Sequence, residues 1–391
     1  MSNLRKARAR FFQERKMPEV GSFFYYFMKK ADRLDELSAE ELKKEAEWRD
    51  DHSNAEYISD ALSELIRMSP DLWKASARNV FVGLVDAAEV NATAWRTDKD
   101  KAIVEINLQF LLVLRDYVIA FDEFGAGLRK VGADISEGRL EGLNDKIALL
   151  QEATEENWNA LNLASEEWAR PDEIHPGTQF LEGKVSAARE DVVDRIVPEC
   201  IKFIVGHEIS HHMLAHLTNS DNKRKLASKV LREVGADTDL QSITLGLPRE
   251  QADEINADVI SFLLCAGYFT EGAIDFKTLY GAQMGAILTL TGLGHINGYW
   301  ETDLADSHPG IIRRANAISA VTRSLTSQML LGPHRDHPME LAFQLESYVM
   351  LAQGYWGTHK ASYSGPVPQF ADYVAQTILT LPSLRRNLSA K

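Results

Sequence analysis

The chain has 391 residues, of which 45% are hydrophobic and 26% charged, the composition of an ordinary globular protein that buries a core without disulfide staples. Its 57 acidic residues against 43 basic ones leave a net charge of −14, which argues against bulk nucleic-acid binding, since phosphates attract clustered Lys and Arg. Two cysteines, Cys200 and Cys265, with no C-x-x-C spacing, read as core thiols in a reducing compartment.

Taken in chain order, residues 1–78 read as helices. Arg5, Lys6, Arg8, Arg10, Arg15 and Lys16 make the start basic, so mitochondrial targeting stands as a minor alternative to the expected cytoplasmic location. No apolar stretch follows of the kind a secretory signal requires. Ser38 and Glu41 have the spacing of a capping box, and Leu62, Leu65 and Ile66 form an apolar stripe that Ser69-Pro70 ends. The period then changes. Residues 90–95 and 102–107 alternate as β-strands, joined as a hairpin by the polar stretch 96–101.

Residues 108–121 turn helical, and 123–170 are helical and polar, ending in a loop at 170–177. A long helical pattern covers 185–217, where Pro198 predicts a kink or a split. Residues 219–229 are polar. Another helix spans 250–266 before Gly267. The uncharged run Thr278 to Trp300 contains five glycines and several polar residues, so it reads as a buried core helix with no stable membrane span expected. Beyond Pro309 the chain is mostly helical, with breaks expected at Pro333, Pro338 and 365–368. The fold class is therefore α+β and predominantly helical.

The strongest chemical signal is His207-Glu208-Ile209-Ser210-His211, an H-E-x-x-H within a helical pattern. Residues i and i+4 share one helix face, so both imidazoles can reach one Zn²⁺, leaving Glu208 to take a proton from a water. Four of the eleven histidines fall between 207 and 216. The metzincin continuation fails, because it needs Gly at 214 and His at 217, where this chain has Leu214 and Leu217. A carboxylate from a second helix is the alternative third ligand. Glu254 and Asp258 share a face at i, i+4. Glu254 could ligate zinc while Asp258 orients an imidazole, and Glu250 and Asp253 are rival ligands. His212 should face away from the pair, and His175, His334 and His337 read as loop residues.

With these motifs the chain resembles the zinc metallopeptidase family of the CAAX prenyl proteases and HtpX, which are gluzincins. The resemblance is carried by Val90-Asn91-Ala92 with the segment 103–108, by Gly206-His-Glu-Ile-Ser-His211 with His216, by Glu254-x-x-Ala257-Asp258, and by Ser307-His308-Pro309 with Arg314. It implies a gluzincin-type core with one zinc per chain on His207, His211 and Glu254, Glu208 as general base and Asp258 behind the ligands. It also implies that His308 and Arg314 lie beside the tetrahedral intermediate or in its supporting network, and that the strand with Asn91 and Ala92 lines the cleft and takes substrate. Read without the resemblance, Asp306-Ser307 before Pro309 is equally a plain helix start.

The domain plan that follows is a helical N-terminal extension at 1–78, a split peptidase domain at 79–318 with a helical insertion at about 115–195, and a helical C-terminal extension at 319–391. The expected function is a zinc metalloendopeptidase acting on an intracellular protein or peptide. The alternative is a catalytically silent helical scaffold that retains a structural zinc.

Overall fold

The computed structural model describes residues 3–87, 90–98, 101–139, 141–168, 187–214, 229–234, 236–270, 274–300, 308–328 and 337–360. The expectations for the loop at 170–177, the polar stretch at 219–228, His175, His216, Ser307, His334, Pro333 and 365–368 lie outside them. The described chain is mostly helical around one small sheet, which agrees with an α+β class.

The N-terminal helices are α1 (Asn3–Arg15), α2 (Phe23–Lys30), α3 (Ala39–Glu47), α4 (Glu56–Met68) and α5 (Asp71–Ala77). The expected capping box forms on α3, where Ser38 accepts from the Glu41 amide and the Glu41 carboxylate accepts from the Ser38 amide. Ile58, Leu62 and Leu65 line the buried face of α4, and its helix ends at Ser69 ahead of Pro70.

The sheet has the order β1-β3-β2, with β1 (Val80–Val85) parallel to β3 (Lys101–Asn107) and β2 (Ala92–Asp98) antiparallel to it. The hairpin of β2 and β3 matches the alternating pattern. β1 was not anticipated, because Val-Phe-Val-Gly-Leu-Val is buried along its whole length and so shows no alternation of polar and apolar residues.

Both faces of the sheet are covered. Phe11 of α1 sits on Gly83, where an added Cβ would lie 2.2 Å from the Phe11 ring. On the same side, Arg15 forks onto the Glu105 carboxylate, and the Arg10 guanidinium lies 5.3 Å from the Trp95 ring centroid. Val82 and Val104 point the other way, as a period of two requires, into the core where the helix carrying His207 and His211 packs on β2 and β3. The outer edge of β1 is closed by residues 52–54. Val82 donates to the His52 carbonyl, and the Asn54 side chain pairs with both backbone groups of Leu84.

Next come α6 (Leu108–Ser136) and α7 (Leu143–Trp168), whose connection is tied by Asp134 to Arg139 and Lys146. The centre of the molecule is α8 (Ala187–Met213), against which α4, α5, α6 and two of the later helices pack. It runs through Pro198 without splitting. A proline inside a helix costs about 3 kcal/mol, and burial against several neighbours outweighs it. One of these is the helix Phe276–Asn297, whose Gly285 lies so close that a Cβ there would be 2.3 Å from the Glu199 carbonyl oxygen.

The remaining helices are α9 (Asp237–Thr244), α10 (Arg249–Cys265), α11 (Phe276–Asn297), α12 (Ile311–Gln328) and α13 (His337–His359). The core helix expected at 278–300 is α11, capped by Asp275 and Thr278 at its start and by the left-handed Gly298 at its end. No helix of the described residues is long and apolar enough to cross a membrane. One boundary differs from expectation: Pro338 lies in the first turn of α13, where its missing N–H costs nothing, whereas α12 begins at Ile311, in the helical stretch expected beyond Pro309. His337 accordingly opens a helix and is not a loop residue. The aromatic side chains of the C-terminal helix pack internally. Tyr348 and Tyr355 join Trp158 and His295 in a buried cluster between α7, α11 and α13.

Candidate active site

His207 and His211 stand one turn apart on α8, with their rings edge to face and their Nε2 atoms 3.1 Å apart. Glu254 reaches them from α10, its two carboxylate oxygens each 3.3 Å from one of those nitrogens. Among the described residues this is the one group of three or more His, Cys, Asp or Glu side chains able to share a metal ion. The rivals stay outside it: Glu250 is exposed, and Asp253 lies beside Arg249.

Small residues set the separation of the two helices. A Cβ on Gly206 would lie 2.4 Å from Ser261 Oγ, so glycine is required where α10 crosses α8. Ser261 donates to the Phe203 carbonyl, and Ser210 donates to the Gly206 carbonyl within α8. Ser261 was missed from the sequence, since one buried serine on an apolar helix face carries no signal.

Asp258 lies one turn beyond Glu254 and is fully buried. One of its oxygens is 2.8 Å from His207 Nδ1, and both accept from the Arg314 guanidinium of α12 at 2.7 Å. Arg314 is thus buried behind the histidine, in a supporting network. Charge alternates along the row Arg314, Asp258, His207 and Glu254. Burial disfavours every ionised member, and the neighbours outweigh it. Asp258 and Glu254 raise His207 to about 10, His207 and then His211 hold Glu254 well below the usual carboxylate range, and Arg314 holds Asp258 down.

Glu208 is nearly buried, and burial pushes its carboxyl up to about 7. The Ala94 amide of β2 hydrogen-bonds to it, tying α8 to the edge of the sheet. His308 enters from the other side, half exposed, with Nε2 3.5 Å from a Glu254 oxygen. Burial is the main cause holding its imidazole below the ordinary value. His207, Glu208, His308, Arg314, Asn91 and Ala92 all border one cleft of about 480 Å³. His212 turns away and is buried in packing, and the buried thiols of Cys200 and Cys265 are each pushed up to about 12 by desolvation.

A family model described as Peptidase U49 matches residues 128–328, just over half of the chain, and the chain belongs to that family. The matched span contains both histidines of the motif, Glu208, Glu254, Asp258, His308 and Arg314, and it leaves the three-stranded sheet outside. The protein is therefore a peptidase by family, with protein or peptide as its class of substrate. No curated protein and no solved structure matches the chain.

Proposed function

We propose that this member of the Peptidase U49 family is a zinc-dependent endopeptidase of the gluzincin kind, akin to the CAAX prenyl proteases and HtpX, with His207, His211 and Glu254 as ligands of one zinc. The observation that carries the reading is the convergence of three ligand atoms from two helices on one point, with Glu208 beside them at the sheet edge. The donor set fits the metal. Two imidazoles and a carboxylate are a catalytic zinc set, and three protein ligands leave a further position for water or substrate. Asp258, 2.8 Å from His207 Nδ1, is placed to hold the imidazole proton on that nitrogen and leave the Nε2 lone pair for a metal, the usual way a ligand histidine is oriented.

A zinc held by His207, His211 and Glu254 would supply a Lewis acid for the scissile carbonyl and lower the pKa of a water. Glu208 then acts as the general base that takes the proton from the attacking water and hands it to the leaving amine. Water adds to the carbonyl directly and the tetrahedral adduct then expels the amine, so no acyl-enzyme forms. His308 donates to the oxyanion as it develops, from its half-exposed place at the rim. Arg314 works through Asp258, keeping it ionised and His207 correctly turned.

The edge of β2 supports an extended substrate. Asn107 donates to the Asn91 carbonyl, so the groups of Asn91 face β3 and those of Ala92 and Ala94 face outward, where the Ala94 amide meets Glu208. β1 has its outer edge closed, whereas β2 is the terminal strand among the described residues. A peptide adding here as a strand brings its backbone past Glu208. We read the peptidase domain as 79–318, split by a helical insertion at about 115–195 that serves control or partner choice. Isolated buried thiols support an intracellular substrate.

Elemental analysis of purified protein should find one zinc per chain, and Glu208→Gln should keep that zinc while abolishing cleavage. Protein without stoichiometric zinc, or Glu208→Gln that still cleaves, would overturn the reading.

A further inference from the structure

We propose that the cleft selects peptides carrying a large, uncharged, apolar side chain at one of the two residues flanking the scissile bond. The inference rests on the peptidase reading above and adds the class of substrate. The cavity of about 480 Å³ does not end at His207 and Glu208; it continues between α6, α8 and α11. Phe203 and Ile204, one turn before His207, form one wall. Leu293 and Ile296 of α11 and Phe110 of α6 line the cavity as well.

Exposure along α11 points to an occupant. From Ala282 to His295 every residue is buried except Leu293, which lines the cavity, and Ile296 is likewise only partly covered. Apolar surface left half covered beside a reacting centre gains from a ligand that covers it.

The charges in the lining are committed elsewhere. Arg314 is held by Asp258, His207 lies between Asp258 and Glu254, and Glu208 and His308 belong to the reaction. Thr289 carries no charge. A Lys, Arg, Asp or Glu side chain entering between Phe203 and Leu293 would lose its hydration and find no counter-charge. A Gly or Ala side chain would leave the space unfilled. A Leu, Ile, Met or Phe side chain fills it.

The test uses zinc-loaded full-length protein on a randomised peptide mixture, with cut sites read by mass spectrometry and Glu208→Gln as the blank. Large apolar residues should dominate one flanking position, with kcat/KM about 10² or more above the matched Ala or Lys peptide. Leu293→Trp and Ile296→Trp, which fill the cavity, should shift the preference toward small residues. Glu208-dependent cuts with no apolar selection overturn this inference alone, and the wild-type profile suffices for that whether or not the Trp variants fold. Absence of any Glu208-dependent cut overturns the peptidase reading and this inference with it.

Discussion

Arg314 and Asp258 are both buried, and each is tolerable there only because of the other. Removing one partner of such a pair typically costs about 3–5 kcal/mol, because the remaining charge is stranded. Arg314→Met should therefore lower stability by about that amount in urea unfolding. It should also weaken zinc about 10- to 100-fold in a chelator competition, since Asp258 loses the group that holds it against His207. An unchanged zinc affinity would remove Arg314 from the site's support. At this scale the residues of α8 were legible in sequence, because His207, Glu208 and His211 relate through one helical turn. The place of Arg314 was open between the reacting groups and their support. That choice depends on how α12 crosses α10, which local spacing does not encode.

Helix pairs decide whether those residues meet. Gly206 and Ser261 let α8 and α10 approach until Glu254 spans both histidines. Gly206→Ala places a methyl 2.4 Å from Ser261 Oγ, so the helices must shift apart. The expected loss is about 1–3 kcal/mol, together with weaker zinc binding. Adding Ser261→Ala removes the closest atom and leaves the next at 3.3 Å, so the double variant should recover part of both losses. Additive losses in a double-mutant cycle would show that the contact does not set the separation. Capping chemistry made α3 legible, and alternation made the β2–β3 hairpin legible. β1 and the unbroken α8 were not, and for one reason. Burial on all sides erases the polar face that reveals a strand, and it also offsets the penalty that makes proline look like a stop.

Across the whole molecule, the region between residues 108 and 168 is joined to the C-terminal helix through the cluster around His295. His295 is stacked on Tyr355, and its Nε2 donates to Asn162 Oδ1 at 3.0 Å. Burial first, and Lys360 second, lower its imidazole to about 3. The folded state thus keeps it neutral while the unfolded chain protonates near 6.5. Below that pH the unfolded state binds the extra proton, so stability present at neutral pH is lost as pH falls from about 6.5 toward 3. Between pH 7 and 5 the wild type should lose about 2 kcal/mol more than His295→Phe in paired urea melts. Equal losses would show that this histidine does not report on the packing of the two regions.

By itself the sequence determined the helix carrying His207, Glu208 and His211, the second helix carrying Glu254 and Asp258, the hairpin beside Asn91, and a chain whose acidity speaks against bulk nucleic acid. Each of these is a local pattern, set by one helical turn or by strand alternation. Only the tertiary structure decided that Glu254 and not Glu250 or Asp253 reaches the histidines, that Arg314 stands behind His207, and that an apolar cavity opens beside Glu208. Those facts depend on how close Gly206 and Ser261 bring two helices, and on how α11 and α12 lie across them. Contacts between residues distant in sequence come from packing the whole core at once, so no single stretch of the chain holds them.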